Sequence, residues 1–125
     1  MTRLLIVDDE SEICDFLKSF FEDRDFEVHS ALSGEEAFRE VETFRPQVML
    51  LDIKMGKVDG LSVLKKVKEK YPRTKVIMVT ALETTDKIEE AMRLGADNYI
   101  TKPLSLEYLE NDVREKIANL AGNAR

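Results

Sequence analysis

The chain has 125 residues, 43% of them apolar, which is one domain's length and enough to bury a sizeable core. Its formal charge of −6 argues against this domain holding nucleic acid by itself, because phosphate binding needs a basic face. A single cysteine, Cys14, excludes an internal disulfide and suits a reducing compartment. No apolar run approaches membrane-spanning length and the N-terminus lacks a signal-peptide profile, so the expectation is a soluble cytoplasmic protein with no membrane partner. Residues 1–125 read as one domain with its core over about 4–120. The tail from Ala121 to Arg125 suits either a natural end or the start of a linker.

Leu4-Leu5-Ile6-Val7 is an apolar run that meets Asp8-Asp9-Glu10. Helical spacing follows, with Ile13, Phe16, Leu17, Phe20 and Phe21 on one stripe and Asp9 and Glu12 marking its start. Phe26 to Ser30 alternates as an edge strand does. Ser33-x-x-Glu36 is a capping box that opens a helix through Ala37, Phe38, Val41 and Phe44. Val48-Met49-Leu50-Leu51 reads as a strand buried on both faces, and it ends on Asp52. Asp59-Gly60 leads into a helix that Tyr71-Pro72 stops. Val76 to Val79 is a fourth apolar run, ending at Thr80. Thr84 or Thr85 caps a helix carrying Ile88, Ala91, Met92 and Leu94, closed by Gly95. Asn98-Tyr99-Ile100 is a short fifth strand before Thr101-Lys102-Pro103. Ser105 caps a last helix through Leu106, Leu109, Val113, Ile117 and Leu120.

Strict βα alternation, five times over, demands parallel strands and right-handed crossovers. Runs one, three and four are apolar throughout and belong in the centre; runs two and five belong at the edges. The fold class is therefore α/β, a doubly wound, flavodoxin-like (βα)5 sandwich with strand order 2-1-3-4-5. Every strand then ends on one edge, which gathers Asp8, Asp9, Asp52, Thr80 and Lys102.

Three crowded carboxylates raise one another's pKa unless a cation is present, and a hard divalent ion such as Mg²⁺ satisfies oxygen ligands of this kind. A carboxylate is also a nucleophile toward phosphorus. Lys102, presented from a stiff loop by Pro103, can neutralise a phosphoryl oxygen, and the Thr80 hydroxyl can donate to it. Each residue alone has an everyday explanation as a cap or loop residue; the joint placement at four strand ends points to phosphoryl chemistry.

The chain resembles the receiver domain of two-component response regulators from roughly Leu4 to Leu120. The resemblance rests on Val7-Asp8-Asp9-Glu10, Leu51-Asp52-Ile53-Lys54-Met55, Asp59-Gly60, Val79-Thr80-Ala81, Gly95-Ala96 and Tyr99-Ile100-Thr101-Lys102-Pro103. It implies that Asp52 accepts a phosphoryl group from a histidine kinase or a histidine phosphotransfer protein, with slow self-catalysed chemistry and not turnover as an enzyme. It implies a Mg²⁺ ion (Mn²⁺ as substitute) held by Asp9, Asp52 and the Lys54 carbonyl, with Asp8 acting through water. It also implies a Lys102 contact to the phosphoryl group, a Thr80–Tyr99 switch, and a cis Lys102–Pro103 peptide. The switched face, made of the fourth helix, fifth strand and last helix, would control an output domain or partner, or form a homodimer. Its charges include Glu83, Asp86, Lys87, Glu90, Arg93, Asp97, Arg114 and Glu115. Ile13 and Phe16 either face outward, where this family docks its kinase, or are fully buried.

One departure stands out: Gly56 follows Met55 where the family usually has proline. Glycine loosens that loop, so Gly56→Pro is expected to stabilise the unliganded domain modestly. The Lys54 side chain either reaches over the site or is a solvated loop lysine. Met49, Met78 and Met92 read as core filler, His29 as a surface histidine, Cys14 as a packed or exposed thiol, and Lys65, Lys66, Lys68 and Lys70 as a solvated helix side. Two other functions compete. An aspartyl-phosphate phosphatase wants Asp-x-Asp after the first strand, where this chain has Asp8-Asp9-Glu10; a flavodoxin-like cofactor binder wants a phosphate loop there, which is absent. A phosphate-independent scaffold leaves the acidic set unexplained.

Overall fold

A computed structural model describes residues 1–56, 58–81 and 85–122. Five strands, β1 (Thr2–Val7), β2 (Phe26–Ala31), β3 (Val48–Asp52), β4 (Lys75–Thr80) and β5 (Asn98–Thr101), form one sheet. Their order is β2-β1-β3-β4-β5 and every pairing is parallel, the order read from the apolar runs. The registers place Val7 beside Leu51, Asp52 beside Val79 and Thr80 beside Thr101, so four strands end at nearly one level.

Period-two alternation splits the core between the faces of the sheet. Leu4, Ile6, Val48, Leu50, Ile77 and Val79 pack with Phe21, Leu109 and Val113 on the side of α1 (Ser11–Glu22) and the C-terminal helix. Leu5, Val7, Met49, Leu51, Val76 and Met78 pack with Val41, Leu64 and Ala91 from α2 (Gly34–Phe44), α3 (Gly60–Lys70) and α4 (Thr85–Arg93). The C-terminal helix, α5, runs over Leu106–Tyr108, a π turn at Leu109–Val113, and Arg114–Gly122. The pattern predicts an uninterrupted helix there, and nothing in its spacing announces the wider turn.

Several local readings hold. The Ser33 hydroxyl accepts the Glu36 N–H, although the Glu36 carboxylate reaches the Leu32 N–H and not Ser33's own. Ser105 accepts the Tyr108 N–H. Gly95, at φ +104, ends α4, with the Ala96 N–H returning to the Ala91 carbonyl. Of the two threonines proposed to cap α4, Thr85 is its first residue and Thr84 lies outside the described residues, as do Glu83 and the end of the tail.

Other readings need correction or completion. In α1 Cys14, Leu17, Phe20 and Phe21 are buried, and of the two readings left open for Phe16 the outward one holds, at 42% exposed. Met92 and Leu106 are also exposed, so neither fills the core, whereas Met49 and Met78 do. Lys68 is not solvated: its ammonium lies 2.7 Å from Asp97 and 2.8 Å from the Thr74 carbonyl. His29 is a surface histidine as read, its side chain 43% exposed, and it also stacks on Phe44 at 3.7 Å between centroids and contacts the Glu40 carboxylate at 3.0 Å. A two-stranded hairpin, Lys54–Met55 with Val58–Asp59, fills what reads as a loop after Asp52.

Candidate functional site

The site begins at the end of β1. The Asp8 N–H extends the sheet ladder to the Ala31 carbonyl at 3.1 Å, which fixes the residue beyond the strand. One Asp8 oxygen accepts the Glu10 N–H at 2.9 Å. Helix α1 then starts at Ser11 with Glu10 as N-cap and no side-chain cap bond, so Asp9 does not cap the helix as its spacing suggests. Its carboxylate stays exposed at the strand edge.

Asp52 ends β3 and is buried. Its Oδ1 accepts the Lys54 N–H at 3.1 Å and its Oδ2 accepts the Lys102 ammonium at 2.9 Å. The chain past Asp52 is pinned on two sides, by Ile53 N–H to the Val79 carbonyl and by Gly60 N–H to the Ile53 carbonyl at 2.7 Å. A Cβ on Gly60 would sit 2.1 Å from the Asp52 carbonyl oxygen, so only glycine lets α3 start this close to the acidic edge. Asp59, the N-cap of α3, accepts the Leu61 N–H at 2.9 Å. Gly56 lies at φ +53, a left-handed conformation that proline's ring forbids. The stiffening expected of Gly56→Pro therefore does not apply: the hairpin needs the glycine.

Thr80, buried at the end of β4, donates its hydroxyl to the Ala81 carbonyl at 3.1 Å. Its own carbonyl accepts the Lys102 N–H at 2.8 Å, tying the ends of β4 and β5 together. The Lys102–Pro103 peptide is cis. The Lys102 ammonium thus lies between two acids, 2.9 Å from Asp52 and 3.8 Å from Asp8.

Carboxylate oxygens of Asp8, Asp9 and Asp52 lie within 4.8 Å of one another. Asp9 and Asp52 border a cavity of about 580 Å³ lined also by Glu10, Lys54, Thr80 and Lys102. Burial, reinforced by the charge of Asp52, pushes the Asp8 carboxyl up to about 6, against the opposing pull of the Glu10 N–H and Lys102. Burial alone lowers Lys102, but the Asp52 hydrogen bond and the charges of Asp52, Asp8 and Glu10 outweigh it and hold the ammonium above its usual value. The pocket is therefore short of positive charge, and its donors are all hard oxygens. That combination fits a hard divalent cation.

The five residues predicted to gather at the strand ends do so. Tyr99 does not join them; it lies within β5 and is 40% exposed. The Lys54 side chain is exposed as well. Two contributors escaped the sequence reading. Glu10 lines the cavity, and its place directly after Asp8-Asp9 was the available signal. Gly60 reads only as a helix-start residue, because its contact with Asp52 arises from tertiary closure.

The family model for the response regulator receiver domain matches residues 4–114. Among curated relatives, regulatory protein AtoC of Escherichia coli is 38% identical over 109 residues, covering 87% of this chain and 24% of AtoC. Chemotaxis protein CheY of Listeria monocytogenes is 36% identical over 108 residues, covering 86% of this chain and 91% of CheY. A CheY-like response regulator receiver domain protein from Methanospirillum hungatei superposes with a TM-score of 0.88 at 31% identity, over 98% of each chain. The chain spans only 24% of AtoC and 43% of the alkaline phosphatase synthesis regulator PhoP of Bacillus subtilis. The match over nearly the whole fold, with an acidic cluster at its strand ends, places the chain in the response regulator receiver domain family of two-component signalling proteins.

Proposed function

We propose that this chain, read as one receiver domain with its core over about 4–120, is a phosphorylation-controlled switch whose Asp52 is the phosphoacceptor. The observation that carries the reading is Asp52 buried at the end of β3, bonded to Lys102 at 2.9 Å, among acids short of positive charge. One Asp52 oxygen attacks phosphorus as the bond to the donor's histidine nitrogen breaks, leaving an acyl phosphate and a free imidazole. The donor is a histidine kinase or a histidine phosphotransfer protein. Lys102 gives up part of its contact with Asp52 to pair with the arriving phosphoryl oxygens. Thr80 turns its hydroxyl from the Ala81 carbonyl toward the same oxygens.

Asp9, Asp52 and the Lys54 carbonyl would hold Mg²⁺ (or Mn²⁺), with Asp8 acting through water, and the ion supplies charge stabilisation on the phosphoryl group. Asp8, up at about 6 without a cation, must release its proton for that set to bind metal. Reorientation of Thr80 biases exposed Tyr99 inward and changes the face of α4, β5 and α5. That face is the proposed control surface for an output domain or for homodimerisation. Exposed Phe16 and half-buried Ile13 border an apolar cavity with Lys102, Pro103 and Leu104, which supports kinase docking beside the phosphoacceptor. Among the described residues no helix is long and apolar enough to cross a membrane, and a cytoplasmic location suits a kinase-coupled switch.

Acetyl phosphate with Mg²⁺ tests the reading. The intact chain gains one phosphoryl mass and Asp52→Asn gains none; Lys102→Ala slows labelling by about a hundredfold. Labelling that persists in Asp52→Asn moves the acceptor elsewhere. Multiple turnover of phosphomonoesters would favour a phosphatase, against the Asp8-Asp9-Glu10 spacing.

A further inference from the structure

At the opposite edge of the sheet, four cations converge from three stretches of chain. Arg3 comes from β1, Arg45 from the α2–β3 turn, and Lys70 and Arg73 from the end of α3 and the turn after it. They surround a cavity of about 340 Å³, a volume near the lower end of the roughly 300–1,000 Å³ typical of ligand sites. No carboxylate lines it, and none of the four cations forms an ion pair with a described residue. In a chain of net charge −6 this is a local concentration of positive charge.

The cluster is also built in place. Arg3 donates its Nε–H to the Arg45 carbonyl at 2.8 Å, and Arg45 donates its Nε–H to the Glu42 carbonyl at 2.9 Å. Each bond leaves the paired terminal nitrogens of a guanidinium fork, the geometry that suits phosphate oxygens. Arg45 holds φ +54, a left-handed conformation that costs a residue with a side chain about 1 kcal/mol. The Tyr71 ring, 5.0 Å under the Arg45 guanidinium, forms an apolar wall. Compensation of helix dipoles at the ends of α2 and α3 accounts for Arg45 and Lys70, but not for Arg3 or Arg73.

We propose that this cavity binds a compact multivalent anion of the pyrophosphate or phosphate-ester class, independently of the phosphoacceptor. A compact ligand is favoured over nucleic acid because the cavity is small and the chain carries a net charge of −6. Pyrophosphate, titrated without Mg²⁺ into the whole chain and followed by backbone amide shifts, is the probe. Saturable one-to-one binding is expected, with shifts at the amides of Arg45, Gln47, Tyr71, Arg73 and Thr74, and it should persist in Asp52→Asn. Lys70→Ala and Arg73→Ala should each weaken it by about tenfold. Without anion the thermal midpoint of Arg73→Ala should stay level or rise, because a like charge has been removed, whereas Lys70→Ala also loses a cation at the end of α3 and over the Tyr71 ring. Non-saturable shifts, or an affinity in both variants unchanged from that of the intact chain, overturn the proposal. So does a lowered midpoint with unchanged binding, which would mark a helix-end role, or tighter binding of a short oligonucleotide, which would mark a nucleic-acid surface.

Discussion

At Asp8, burial raises the carboxyl to about 6 while its neighbours Asp52 and Lys102 pull in opposite directions. A carboxyl whose folded value lies above its unfolded one holds its proton more tightly in the folded state. Between about pH 4 and 6 the folded form therefore binds more protons, and stability falls as pH rises through that window, then levels off. Asp8→Asn keeps an acceptor for the Glu10 N–H and removes the buried charge. It should raise stability at pH 7 by about 1 kcal/mol, a few degrees in midpoint, and flatten the fall between pH 4 and 6. Thermal melts at pH 4.5 and 7 of both proteins check this; a parallel pH slope in the two would reject it. Mg²⁺ affinity should weaken below about pH 6, where Asp8 holds its proton, and a Mg²⁺ titration at pH 5.5 and 7.5 measures that.

Among elements, the turn and helix start that follow Asp52 depend on two glycines for different reasons. Gly60 needs space: a Cβ there meets the Asp52 carbonyl at 2.1 Å and Ile53 at 2.9 Å, all backbone that cannot rotate away. Gly60→Ala should cost about 3 kcal/mol or more and displace Asp52 from Lys102. Gly56 needs a backbone angle, and Gly56→Pro forces φ from +53 toward about −65°. That variant should lose stability, by about 1–3 kcal/mol in denaturant melts, where a reading from family pattern alone expects a gain. An unchanged or higher midpoint would show that the hairpin can reorganise freely. The two substitutions separate what local sequence reveals from what it hides: glycine after Met55 reads as flexibility, yet the hairpin uses it as a fixed left-handed turn.

For the molecule as a whole, the Lys68–Asp97 pair is a polar contact that ties separate elements together away from the site. Asp97 accepts both the Lys68 ammonium and the Val76 N–H at 2.8 Å, linking α3, the start of β4 and the turn before β5. Both side chains are mostly buried. Lys68→Met leaves Asp97 without its cation and should cost about 2–3 kcal/mol, whereas Lys68→Met with Asp97→Asn should recover part of that loss. Additive costs in that double-mutant cycle would show that the two side chains act independently.

The alternation of apolar runs and helical stripes was sufficient for strand order, for which strands are central and for the set of strand-end residues. Periodicity reports which side of an element is buried, and in a parallel βα chain every strand must end on the same edge. It could not report where long side chains settle. Phe16 and Met92 lie on apolar stripes yet face out, because Cys14 and Ala91 take the inward positions; Lys68 sits on a charged run yet finds Asp97 29 residues away. The distances that make Asp52 chemically distinct, to Lys102 and to the edge of Gly60, exist only once separate strands and helices close on one another. Residue types and their order determined the sheet and nominated the acids; three-dimensional closure decided which charges touch, because contact between residues far apart in the chain leaves no trace in local spacing.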